Sequence, residues 1–102
     1  MNLNQMMKQA QQMQAKMASL QNELATREIE VSAGGGAVKV KVNGKQELIS
    51  LQISKEAVDP NDVATLEELV FTAVNSALKQ SQEMVTSAMS KITGGMNIPG
   101  LF

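Results

Sequence analysis

The sequence predicts an α+β fold: a three-stranded antiparallel sheet flanked by two long projecting helices, the arms of a dimer. Three observations carry this. Residues 37–53 alternate apolar and polar about Asn43-Gly44, a dipeptide that favours the tight type I′ hairpin turn. A helical pattern of about 25 residues precedes the first strand, and one of about 30 follows the last. At 1.5 Å per residue these run roughly 37 and 45–50 Å, against roughly 20 Å for a six-residue strand. Each helix therefore overhangs the sheet and must pack on its neighbour or on a second copy.

Residues 1–25 make the first helical arm. Leu3, Met6, Ala10, Met13, Met17, Leu20 and Leu24 alternate in steps of three and four, the a/d seam of a left-handed helix pair. Gln5, Gln9, Gln11, Gln12, Gln14, Lys8 and Lys16 fill the other faces, and Met7 lies off the seam. The sheet occupies 26–54. From Arg27 to Ser32 the pattern has period two, with Ile29 and Val31 inward. Ala33-Gly34-Gly35-Gly36-Ala37 supplies the first turn.

Val38, Val40 and Val42 then share one face. A two-residue loop at Asn43-Gly44 sets Val42 opposite Lys45, Val40 opposite Glu47 and Val38 opposite Ile49. The apolar face continues into Ile49, Leu51 and Ile53, and the opposite face is polar apart from Leu48.

The long second helix is placed at 59–93. It has two candidate starts: Asp59 as N-cap with Pro60 following, or Thr65 with Glu68 as a capping box. Val63, Leu66, Val70, Val74, Ala77, Ser81, Val85, Ala88 and Ile92 form one stripe whose mean step is close to 3.6, so the helix is straight. Gly94-Gly95 stops it, and 94–102 is expected to be a flexible tail.

Composition narrows the function. With 102 residues and 43% hydrophobic, the chain is one domain and not disordered. Phe71 and Phe102 are its two aromatics, so the core is aliphatic; eight Met point to adaptable contacts. There is no His to act as a neutral-pH acid–base and no Cys nucleophile or thiolate ligand, so no enzyme, metal or cofactor is expected. Gly34-Gly35-Gly36 lacks the Lys-Ser or Lys-Thr of a phosphate loop, and Gly44-Lys45-Gln46 fails likewise. Glu67-Glu68 suits the positive end of a helix dipole. No apolar run approaches the length of a membrane span, and a cytoplasmic location is the default expectation.

A net charge of −1 hides a segregation. Glu47, Glu56, Asp59, Asp62, Glu67 and Glu68 face one intervening base, Lys55. The first helix has no acid before Glu23, leaving Lys8 and Lys16 unopposed, and the outer half of the second adds Lys79 and Lys91 against Glu83. Mildly basic arms doubled in a dimer can contact phosphates without reading bases; the plainer alternative is a set of solvated lysines.

These features in this order resemble the YbaB/EbfC family of bacterial nucleoid-associated proteins. The likeness rests on the Met/Gln-rich opening Met1 to Met17, Ser32-Ala33-Gly34-Gly35-Gly36-Ala37-Val38-Lys39-Val40 and Val42-Asn43-Gly44-Lys45. It continues in Asp59-Pro60, Leu66-Glu67-Glu68-Leu69-Val70, Ala73-Val74-Asn75-Ser76-Ala77-Leu78, Thr93-Gly94-Gly95-Met96 and Pro99-Gly100-Leu101-Phe102. The resemblance implies a homodimer with tweezer-like helical arms that binds duplex DNA with little sequence preference, in the nucleoid, and serves chromosome organisation and gene regulation. DNA contacts then fall on Met1 to about Leu24 and about Gln80 to Ile92, the arms that carry Lys8, Lys16, Lys79 and Lys91. A second reading makes the chain a protein-interaction module whose Met-rich arms, Met7 included, grip a partner protein.

Overall fold

A computed structural model describes residues 2–92. The order is α1 (Leu3–Thr26), β1 (Glu28–Ala33), β2 (Val38–Asn43), β3 (Leu48–Ile53), a single 3-10 turn (Lys55–Ala57) and α2 (Val63–Ile92). The sheet is a three-stranded antiparallel meander in the order β1-β2-β3. The expected helix stop at Gly94-Gly95 and the tail 94–102 lie outside the described residues.

Both long helices form, with starts fixed by short polar side chains. Asn2 caps α1, its Oδ1 accepting from the Gln5 amide at 2.8 Å. Asp62 does the same for α2, accepting from the Thr65 amide at 3.3 Å and the Thr65 hydroxyl at 2.7 Å. Neither expected start of the second helix holds. Asp59 instead closes a turn, taking the Asn61 amide at 2.9 Å on its side chain and the Asp62 amide at 2.9 Å on its carbonyl. Arg27, expected as the first strand residue, is the C-cap of α1.

The hairpin departs from the expected register. Val38 opposes Ile53 and Val40 opposes Leu51, with a bulge between Lys41 and Val42 that sets Val42 opposite Leu48. The Asn43 amide donates to the Glu47 carbonyl at 3.1 Å, so the loop holds three residues, Gly44 to Gln46, rather than two. Asn43 selects this loop through its side chain, whose Oδ1 accepts the amides of Lys45 at 2.9 Å and Glu47 at 3.1 Å. The positive φ falls on Gln46, at 61°. Gly44 is needed for another reason: a Cβ there would lie 2.4 Å from the Leu24 carbonyl oxygen. Its amide donates to that same oxygen at 2.9 Å, fastening the hairpin to the end of α1.

The core lies between α2 and the first two strands. Val38, Val40, Val42, Ala73 and Ala77 are fully buried, with Ile29, Val31, Leu66, Leu69 and Val74 packed against them. Ala73, Ala77 and Ser81 follow one another at i+4, and such small side chains let the helix lie close to the valines. The Ser81 hydroxyl donates to the Asn43 carbonyl at 2.7 Å, which explains a polar residue in an apolar stripe. The outer face of the sheet mixes Glu28 and Glu30 with Lys39 and Lys41 and is solvated, with Lys41 3.9 Å from Glu28. Leu48, expected on that face, is moved by the bulge to the side of Val42.

The molecule measures 70 × 23 × 16 Å, with a radius of gyration of 19.3 Å. A compact chain of this length has a radius near ~13 Å. The excess is α1, which buries only Leu24 along its whole length.

Candidate nucleic-acid interface

All four lysines singled out from the sequence are exposed and lie on helices. Lys8 and Lys16 sit on α1, and Lys79 and Lys91 on α2. The ion pairs among the described residues, Arg27 with Glu23 at 3.1 Å and Lys41 with Glu28, engage none of them. Lys8 and Lys16 are about 12 Å apart along their axis and Lys79 and Lys91 about 18 Å. The fold does not gather the four into one patch: Lys8 and Lys16 lie along the projecting α1, Lys91 at the far end of α2, and Lys79 on the solvent side of the segment of α2 packed on the sheet.

One junction does gather charge. Where α1 meets the far end of α2, a cleft of about 270 Å³ is lined by Leu20, Glu23, Arg27, Met84, Ser87, Ala88 and Lys91. Lys91 therefore shares a cleft with Arg27, which the alternating pattern assigns to a strand. The signal for its true place is Glu23 four residues earlier, an i, i+4 partner across the last turn of α1, which ends at Thr26 with Arg27 as its C-cap. Lys45 projects from the loop whose Gly44 holds the end of α1. Five acids, Glu56, Asp59, Asp62, Glu67 and Glu68, lie in or before the first turns of α2, at the other end of a helix of about 45 Å, while Glu23 shares the cleft and pairs with Arg27. Glu56 accepts a hydrogen bond from the Ser54 hydroxyl, which holds its carboxyl below the ordinary range.

The apolar seam of α1 meets the rest of its own chain only at its end. Leu24 is buried and Met17 and Leu20 half-buried, whereas Leu3, Met6 and Met13 are exposed. A second open surface flanks β3. Because α2 lies over β1 and β2, the inward side chains Leu51 and Ile53 stay uncovered, as do Leu48 and Ile49. Beside them a groove of about 510 Å³ runs between Ile53 and the Leu66, Val70, Phe71 and Val74 side of α2. Phe71 is 69% exposed there. Chemically the molecule offers apolar faces and spaced cations. The described residues contain no cluster of His, Cys, Asp or Glu able to hold a metal ion. No described helix is long and apolar enough to cross a membrane.

Comparison with known proteins identifies the family and the fold. The sequence model described as the YbaB/EbfC DNA-binding family matches residues 1–96. A nucleoid-associated protein of Desulforamulus reducens is 61% identical over 101 residues, covering 99% of this chain and 96% of its own. That of Moorella thermoacetica is 59% identical over 99 residues, with 97% and 95% covered. An uncharacterized protein from Helicobacter pylori, known by its crystal structure, shares the fold with a TM-score of 0.83 at 22% identity, over 91% of this chain and 98% of that one.

Proposed function

The chain belongs to the YbaB/EbfC DNA-binding family, and we propose that it binds duplex DNA as a homodimer of low sequence specificity. In this reading it works in the cytoplasm, on the nucleoid, in chromosome organisation and gene regulation. The observation that carries the reading is the placement of Lys8, Lys16, Lys79 and Lys91, exposed and without ion pairs on the two long helices, away from the acids at the start of α2. Such cations bind phosphates by releasing counterions, a term blind to sequence. The arms carry no aromatic and no Arg beyond Arg27 at their root, so base edges have few readers.

The open face of β3 supports the homodimer. Covering the exposed parts of Leu48, Ile49, Leu51, Ile53 and Phe71 is worth roughly 1 kcal/mol each, about 10 kcal/mol over two protomers. Association costs about 4–15 kcal/mol, so a second copy seated on this face offsets much of it, and contacts between arms set the affinity.

The test is fluorescence anisotropy of a mixed-sequence duplex at rising salt. Saturable binding at low salt should weaken steeply toward physiological salt, with a slope of about −0.9 per phosphate contacted. Changing each of the four lysines to Glu should weaken binding alike on all sequences and flatten that slope by about one contact. If the parent does not bind at low salt, the DNA reading is wrong and the exposed methionines point to a protein partner instead. If all four variants bind like the parent, the cations that matter lie elsewhere.

A further inference from the structure

Asn43-Gly44 is the only Asn-Gly pair in the chain, and it carries a chemistry separate from its place in the loop. An asparagine followed by glycine is prone to lose its side-chain amide, because glycine has no Cβ to hinder attack by its own backbone nitrogen. In the folded chain that nitrogen is withheld. The Gly44 N–H donates to the Leu24 carbonyl at 2.9 Å, and Leu24 is buried at the root of α1. Asn43 is itself 5% exposed, which keeps water and base away from the pair. The loop acts in the opposite sense. The Lys45 and Glu47 amides donate to Asn43 Oδ1 at 2.9 and 3.1 Å, aimed at the oxygen that gains charge when Cγ is attacked. The loop polarises the electrophile, and α1 restrains the nucleophile.

We propose that Asn43 is a self-modifying site gated by the seat of α1, and that its deamidation loosens the arm. When the root of α1 lifts, the Gly44 nitrogen gives its proton to solvent base and bonds to Cγ of Asn43. The Cγ–Nδ2 bond then breaks, and the departing nitrogen takes a proton from solvent and leaves as ammonia. A cyclic imide remains. Water opens it at either carbonyl, leaving aspartate at position 43, or isoaspartate with the backbone routed through Cγ. The net change is amide and water to acid and ammonia, with no oxidant or reductant. Either product works against the seat. Nδ2 of Asn43 donates to Glu47 Oε1 at 2.9 Å, and a carboxylate oxygen in its place faces Glu47 with like charge. The iso form adds a methylene to the backbone just before Gly44 and carries its amide away from Leu24. Because Leu24 is the one residue that α1 buries, little else resists release. Conversion is irreversible, so the site records how often the arm has lifted.

The experiment follows the full chain at mildly alkaline pH, with the peptide that carries Asn43 read by mass spectrometry. The folded parent should convert about a hundredfold or more slowly than the same chain unfolded in urea, since only the opened fraction reacts. Leu24→Ala, which empties the seat, should convert about thirtyfold faster than the parent. The milder Leu24→Val should convert about fivefold faster, and keeps the test if the first variant fails to fold. Leu69→Ala thins the core beside Gly34, at the opposite end of β2 from Asn43, and should keep the parent's rate. Asn43→Asp should speed hydrogen exchange of the Gly44 amide about tenfold. A folded parent that converts as fast as the unfolded chain overturns the gate, as do Leu24 variants at the parent's rate. A Leu69→Ala rate raised as far as that of Leu24→Ala also overturns it, assigning the reaction to global unfolding. Unchanged Gly44 exchange in Asn43→Asp overturns the loosening of the arm.

Discussion

Asn43 and its neighbours show how much one short loop can decide. Every polar atom of Asn43 is engaged: its amide and Nδ2 donate to Glu47, and its Oδ1 accepts from Lys45 and Glu47. Its carbonyl accepts from Gln46 and Ser81. Gly44→Ala should cost about 1–3 kcal/mol of unfolding free energy in urea, because the new methyl meets the backbone of Leu24 with little room to yield. Gln46→Gly, at the residue that holds the left-handed φ, should stay within about 1 kcal/mol of the parent. The opposite ranking would mean that the loop is the two-residue turn that Asn43-Gly44 suggests. Ser81→Ala should cost about 1 kcal/mol, since the Asn43 carbonyl keeps its bond from Gln46. These roles are not legible in sequence, because Asn-Gly is also the signature of a type I′ turn and both residues serve other ends here. The four lysines are legible as exposed. Arg27 reads as a strand residue because its backbone is already extended, and its i, i+4 pairing with Glu23 is the sequence signal that ties it to the end of α1.

Among the elements, α2 and β3 make the sharpest contrast. The stripe Leu66, Val70, Val74, Ala77 and Ser81 is readable from its 3.6-residue step, and these residues are buried or half-buried as that step requires. Ala73 and Leu69 fall outside it, because the stripe on a sheet-covering helix is wider than a single line of contacts. The pattern of β3 identifies a strand but gives the wrong register. Its alternation fits either pairing, and the three-residue loop together with the bulge at Lys41/Val42 sets the observed one. What periodicity does not reveal is which strands a helix covers, and here it leaves β3 open. Placing a charge in the groove tests the homodimer proposal: Phe71→Glu should shift the mass by light scattering from dimer to monomer at micromolar concentration. An unchanged dimer mass would move the interface away from this groove.

At the scale of the molecule, the overhang follows from arithmetic on helix lengths, and the 70 Å long axis agrees with it. The partner surface does not follow, since an apolar seam in a sequence does not say whether its own chain or another covers it. If two copies complete each other, folding and association are linked, and the melting temperature should rise with protomer concentration. A melting temperature independent of concentration would count against that linkage.

The attachment of α1 has a mechanical meaning. The arm is a cantilever about 36 Å long, clamped only at its root, by buried Leu24 and the bond from Gly44. A tilt of about 10° at that clamp swings the free end by about 6 Å, close to two base-pair rises of a duplex. In the proposed DNA complex, a stiff lever on a narrow mount would let one protein span grooves of unequal width while its fold stays rigid.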